Sequence, residues 1–122
     1  MTTIIYIDTP EKLAELCLKI STQSWIALDT EFLREKTYYP KFCLLQIATT
    51  DWVACVDPLA LKDLQPLFDV LYRPDIVKVF HACRQDLEIF YQLTGKIPQP
   101  IFDTQIAAPL LGIQENPGYA ML

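Results

Sequence analysis

The chain has 122 residues, a hydrophobic share of 52% and a charged share of 20%, which fits one small domain with a packed core and argues against disorder. Its net charge of −5 and pI near 4.7 give none of the basic footprint usual in nucleic-acid-binding domains. No apolar run approaches the roughly 20 residues of a membrane span, and no signal peptide is expected, because Thr2 and Thr3 lead straight into a strand-like run.

In chain order, Ile4-Ile5-Tyr6-Ile7 reads as a short strand. Asp8-Thr9-Pro10-Glu11 then supplies a cap and a first-turn proline. Leu13, Leu16, Cys17 and Ile20 recur at helical spacing, so a one-sided helix is expected through about Ile20. Trp25–Leu28, Phe42–Ala48 and Trp52–Val56 are apolar runs with short connections, which predict an antiparallel meander. Leu61, Leu64, Leu67, Phe68 and Leu71 predict a helix over Leu61–Tyr72, broken at Arg73-Pro74-Asp75. Ile76–Phe80 reads as a strand, and Leu87, Phe90 and Tyr91 mark a helix that Gly95 ends. Pro98-Gln99-Pro100 forces an extended link, and Asp103-Thr104 caps a further helix carrying Ile106, Ala107, Leu110 and Leu111. The expected order is β-α-β-β-β-α-β-α-α: a mixed α/β sheet with helices packed on it. Tyr119-Ala120-Met121-Leu122 reads as the start of another element, so residues 1–122 are expected to be the front part of a single domain, truncated at its C-terminus.

The four cysteines, Cys17, Cys43, Cys55 and Cys83, form no CxxC pair and each sits among apolar residues. Buried reduced thiols in a cytoplasmic protein are the expectation. The single histidine, His81, argues against a zinc site and is read as structural.

Asp29 and Glu31 carry the sharpest chemical signal. They follow a strand expected to be buried on both faces, and residues two apart leave the same face. Two carboxylates so placed raise each other's pKa unless a cation lies between them, and a hard divalent ion prefers such oxygen ligands. Taken alone the pair is a weak signal, because a strand end emerging into solvent carries acidic residues at no cost. Asp86 lies in the first turns of the helix after Ile76–Phe80, where the helix dipole alone would favour an acid. A sheet that sets Ile76–Phe80 beside Trp25–Leu28 brings Asp86 to face Asp29 and Glu31. A metal-carboxylate site is itself acidic until its cations bind, which answers part of the charge objection.

These blocks resemble a known family. Asp29-Thr30-Glu31-Phe32-Leu33-Arg34, with Thr37-Tyr38-Tyr39-Pro40 and Cys43-Leu44-Leu45-Gln46, resembles the first exonuclease motif of the ribonuclease D family. His81-Ala82 through Asp86-Leu87-Glu88 resembles the second motif, and Ile101-Phe102-Asp103-Thr104-Gln105-Ile106-Ala107 the segment after it. The resemblance implies a ribonuclease-H-like fold and membership of the DEDD 3′→5′ exonucleases, named for four acidic metal ligands. It assigns Asp29, Glu31 and Asp86 as catalytic metal ligands for two divalent ions, Mg²⁺ or Mn²⁺, in a two-metal hydrolysis. The fourth acid of the family follows a tyrosine by four residues. No Tyr-xxx-Asp occurs after Asp86, so that motif is expected beyond residue 122 and this chain is expected to be incomplete alone.

The implied substrates are RNA 3′ ends of the transfer-RNA-precursor kind, with RNA-binding helical domains expected C-terminal to the chain. Two alternatives stand beside this reading: a non-catalytic RNA-binding or assembly module with the same fold, and an exonuclease acting on single-stranded DNA. Phe32 and Gln46 are candidate substrate contacts, by stacking and by hydrogen bonding, with core packing and backbone satisfaction as the plain alternatives. Arg34, Lys36 and Lys41 lie between the first two meander strands as phosphate contacts or a solvated loop. Asp103 is read as a helix cap.

Overall fold

The computed structural model of the chain describes residues 3–33, 41–81 and 83–105, and for residues 32, 33 and 41–43 the backbone only. The elements are β1 (Thr3–Ile7), α1 (Pro10–Ser21), β2 (Trp25–Leu33), β3 (Lys41–Ala48), β4 (Trp52–Val56), α2 (Gln65–Leu71), β5 (Val77–Phe80), α3 (Arg84–Thr94) and β6 (Ile101–Asp103). One six-stranded sheet runs β1-β4-β3-β2-β5-β6. β2, β3 and β4 form the expected antiparallel meander. β5 adds in parallel beside β2, β6 beside β5, and β1 beside β4.

Local chemistry accounts for the helices. Thr9 caps α1 by accepting from the Lys12 N–H at 3.3 Å, and Pro10 opens its first turn. Leu13, Leu16 and Ile20 are its buried stripe. α3 ends at Gly95, whose φ of 74° is the left-handed cap that glycine adopts without strain. The core is one cluster. Leu16 and Ile20 of α1, Leu67 and Leu71 of α2, and Phe90 of α3 pack with Ile7, Ile26, Leu28, Ile47, Ala54 and Phe80 of the sheet. All three helices therefore share one face. Across the other, strand register aligns Ile4, Val53, Ala48, Ala27, Val79 and Phe102 in one row spanning all six strands. Ile4 is 77% exposed and Phe102 46%.

Several expectations are corrected. β2 does not stop at Leu28 but continues to Leu33. It is buried on one face only, with Ile26, Leu28 and Thr30 inside and Trp25, Asp29 and Glu31 exposed. α2 begins at Gln65, not Leu61, because Asp63 Oδ1 accepts from the Gln65 N–H and Pro66 fits the first turn. Leu61 is nevertheless buried, which gave it helical-looking spacing. The link after Pro100 contains the unexpected strand β6, set by the Lys78 N–H donating to Pro100 O at 2.9 Å. Cys17, Cys55 and Cys83 are half-buried thiols rather than buried ones, and Cys43's side chain lies outside the described residues. The helix expected over Ile106–Leu111 and the element expected at residues 119–122 also lie outside them. No helix among the described residues is long and apolar enough to cross a membrane.

Candidate active site

The site forms where β2 outruns its parallel neighbour. Pairing between β2 and β5 ends at Ala27 opposite Val79, and β5 stops at Phe80. Beyond that point an N–H on the β5 side of β2 needs another acceptor. Asp86, in the first turn of α3, supplies it: its Oδ1 accepts from the Thr30 N–H at 3.0 Å and also from the Thr30 hydroxyl. Both residues are buried, Thr30 at 6% exposure and Asp86 at 7%. A side-chain carboxylate thus takes the place of a strand at the carboxyl end of the sheet.

Burial is the main force on the Asp86 carboxyl and holds its pKa above the usual carboxylate range. The two Thr30 hydrogen bonds oppose that, and the charges of Asp29 and Asp103 push the same way as burial. Asp29 is therefore near enough for its charge to be felt at Asp86. Asp29 and Glu31 share the open face of β2, and a register shift falls just after Glu31. Irregularities of this kind re-aim side chains beside active sites. Gln46 of β3 is the direct cross-strand partner of Asp29 and is half-buried, so it stands at the rim of the acids. The side chain of Phe32, residues Arg34 and Lys36, and the side chain of Lys41 lie outside the described residues.

Asp103 is a cap, as expected, but for two elements. Its Oδ1 accepts from the Gln105 N–H at 2.9 Å and its Oδ2 from the Cys83 N–H at 3.0 Å, tying the end of β6 to the start of α3. His81 also stands at this end of the sheet, half-buried, with Nδ1 2.9 Å from Thr104 Oγ1. The Thr104 hydroxyl also lies 3.1 Å from Phe80 O, to which it can donate.

The carboxylates of Asp29 and Asp86 are hard oxygen donors, and two of them in electrostatic contact suit a divalent cation better than they suit each other. Among the described residues, no group of three or more His, Cys, Asp and Glu is gathered closely enough to hold a metal. Asp29 and Asp86 converge, with Glu31 on the same strand face as Asp29. A cleft of about 530 Å³, lined by Asp63, Phe68, Tyr72 and Lys96 among others, opens by the C-terminal end of α3. That is about two helical turns from Asp86, so it plays no part in this site.

Thr30 and Thr104 were passed over by sequence reasoning. The available signal was position: Thr30 continues the inward series Ile26, Leu28, and a buried hydroxyl needs a partner.

A family model described as 3′–5′ exonuclease matches residues 4–122. Ribonuclease D of Zymomonas mobilis is 54% identical over 112 residues, covering 90% of this chain and 29% of that protein. Ribonuclease D of Sphingobium indicum is 50% identical over 118 residues, covering 95% and 30%. Among solved structures, Escherichia coli RNase D, described as an exoribonuclease involved in structured RNA processing, superposes with a TM-score of 0.88 at 42% identity, covering 98% of this chain and 32% of that one. The catalytic core of RRP6 from Trypanosoma brucei gives 0.84 at 30% identity, covering 94% and 32%. The chain spans about 30% of the length of the curated relatives it matches.

Proposed function

The chain belongs to the 3′–5′ exonuclease family, and from that membership we propose that it carries the first part of the active site of an exoribonuclease that trims RNA from its 3′ end. The observation that supports this most directly is the buried Asp86 carboxylate, tied by Thr30 and in electrostatic contact with Asp29, at the sheet end where β2 outruns β5. Exonucleases of this family depend on divalent metal. Asp29, Glu31 and Asp86 would hold it, as Mg²⁺ or Mn²⁺. When bound, such ions neutralise phosphate charge, lower the pKa of an attacking water and stabilise the leaving oxygen.

The rest is work for the chain's own side chains. β2 carries Asp29 and Glu31 on one face, and the first turn of α3 brings Asp86 within electrostatic reach of Asp29. Gln46, beside Asp29, is placed to hydrogen-bond a terminal nucleotide. Phe32 offers a ring on which any base could stack. The relatives named ribonuclease D make RNA the preferred substrate class, and transfer-RNA precursors are the kind we favour. The net charge of −5 implies that most phosphate contacts come from parts of the protein outside these residues, for which RNA-binding helical domains are the natural candidates.

That no three-residue ligand cluster forms among the described residues is the one observation favouring a non-catalytic RNA-binding module. RNA labelled at its 5′ end separates the readings. With Mn²⁺ present, the full-length protein should produce a ladder of progressively shortened labelled products, leave a circular RNA of the same sequence intact, and stop on chelation. Cleavage of the circle would exclude an exonuclease, and binding without shortening would favour the module.

A further inference from the structure

Thr30 places two donors, its N–H and its hydroxyl, on the same oxygen of Asp86. A carboxylate held at one oxygen by two converging donors loses freedom to rotate about its terminal torsion. Asp86 makes no other hydrogen bond among the described residues, and no buried side-chain oxygen there lacks a partner. Oδ2 therefore keeps contact with solvent while Oδ1 is occupied inside. The charge of Asp29 acts on this same group. On the strand, Thr30 points inward while Asp29 and Glu31 point outward, so one tripeptide serves both sides of the site.

We propose that Thr30 is the positioning residue for Asp86: it engages Oδ1 so that Oδ2 is presented, in a fixed orientation, for coordination beside Asp29. This rests on the exonuclease reading above and adds a residue to it. A purely structural role for Thr30, as a satisfied buried hydroxyl tying α3 to β2, would affect folding without affecting the ligand set. Partners that orient metal ligands typically change metal affinity by about 10–100-fold when removed.

The test compares the full-length protein with Thr30→Val and Thr30→Ser by calorimetric Mn²⁺ titration, alongside thermal unfolding in chelator. Thr30→Val keeps the size and the N–H but loses the hydroxyl; about tenfold weaker Mn²⁺ binding per folded molecule is expected. Thr30→Ser keeps the hydroxyl but loses a packed methyl; it should unfold at lower temperature while keeping Mn²⁺ affinity within about twofold. In trimming assays at saturating Mn²⁺, Thr30→Val should recover most of its kcat with KM for RNA unchanged. Should the valine not fold, Thr30→Ala replaces it, and the serine comparison stands regardless. Mn²⁺ affinity unaffected in Thr30→Val, or lowered equally in Thr30→Ser, would overturn the positioning role. Absence of Mn²⁺ binding by the unmodified protein would instead overturn the metal site itself, and the positioning role with it.

Discussion

Burying a carboxylate beside a second one, as at Asp86 and Asp29, costs folding free energy in the metal-free chain. Asp86 titrates above the usual carboxylate range because of that burial, despite the two hydrogen bonds from Thr30. A raised native pKa means the native state holds its proton more tightly than the unfolded chain. The stability tied to this group is thus fully present below the unfolded pKa and is lost as pH rises through the native one. Metal-free Asp86→Asn should therefore be more stable than the wild type at pH 7. The difference should shrink towards zero as the pH falls below about 4. Thermal unfolding of both proteins in chelator from pH 3.5 to 8 checks this; an asparagine variant less stable at pH 7 would show that the ionised carboxylate is already stabilised without metal. Bound Mn²⁺ should reverse the order, because only the aspartate gains from it.

Between elements, Lys78 of β5 does a related job with opposite charge. Its side chain is fully buried, and its ammonium donates to Arg73 O at 2.6 Å and Gln99 O at 2.9 Å. It thereby ties the α2–β5 turn to the segment leading into β6. Lys78→Met leaves both carbonyls without that donor and should destabilise the fold by about 2 kcal/mol, read by denaturant titration. Burial also holds the Lys78 amine down at about 8. Between that value and the ordinary lysine range near 10.4, the unfolded chain binds a proton that the native chain does not, so stability rises with pH. The advantage of wild type over Lys78→Met should grow from pH 8 to pH 10; a constant difference would contradict the depressed titration. At the end of α3, Gly95→Ala meets no atom within 4 Å and costs only its left-handed backbone. About 1 kcal/mol is expected from the same denaturant titration.

The elements also show where sequence was informative. The meander, α1 and the Gly95 stop of α3 follow from period and punctuation that solvent and core impose locally. β6 did not announce itself: three residues between a proline link and a helix start carry no period, and its strand state comes from pairing with β5. β2 was cut short because Asp29-Thr30-Glu31 is polar, yet strict alternation along a sheet with one open face tolerates such residues to Leu33. Nothing local marks Lys78, at the centre of a strand, as buried; the two carbonyls that receive its ammonium come from Arg73 and Gln99. Pairing of Asp86 with Thr30 spans 56 positions, and no local rule reports a partner that distant.

At the scale of the whole molecule, the acids stand at the carboxyl end of a sheet whose helices all cover one face, while an apolar row from Ile4 to Phe102 crosses the other. Ligands gather at the ends of parallel strands because that is where backbone groups lose their neighbours and loops diverge. The family was legible from the sequence because several blocks recur in order, and they implied the ribonuclease-H-like fold, though not the full strand order. The convergence of Asp86 on β2 needed the fold, since it depends on where β5 stops. With RNA as the proposed substrate, the net charge of −5 should leave capture dependent on cations and basic surface, with binding that weakens as salt rises.

The proposed role of Asp29 in a metal-dependent 3′→5′ exonuclease site can be read from release of nucleotides from a 3′-end-labelled single-stranded RNA in Mg²⁺, with the full-length protein beside its Asp29→Ala variant. The wild type should release nucleotides steadily, and the folded variant should lose at least about 10³-fold. Release by Asp29→Ala at the wild-type rate would contradict it.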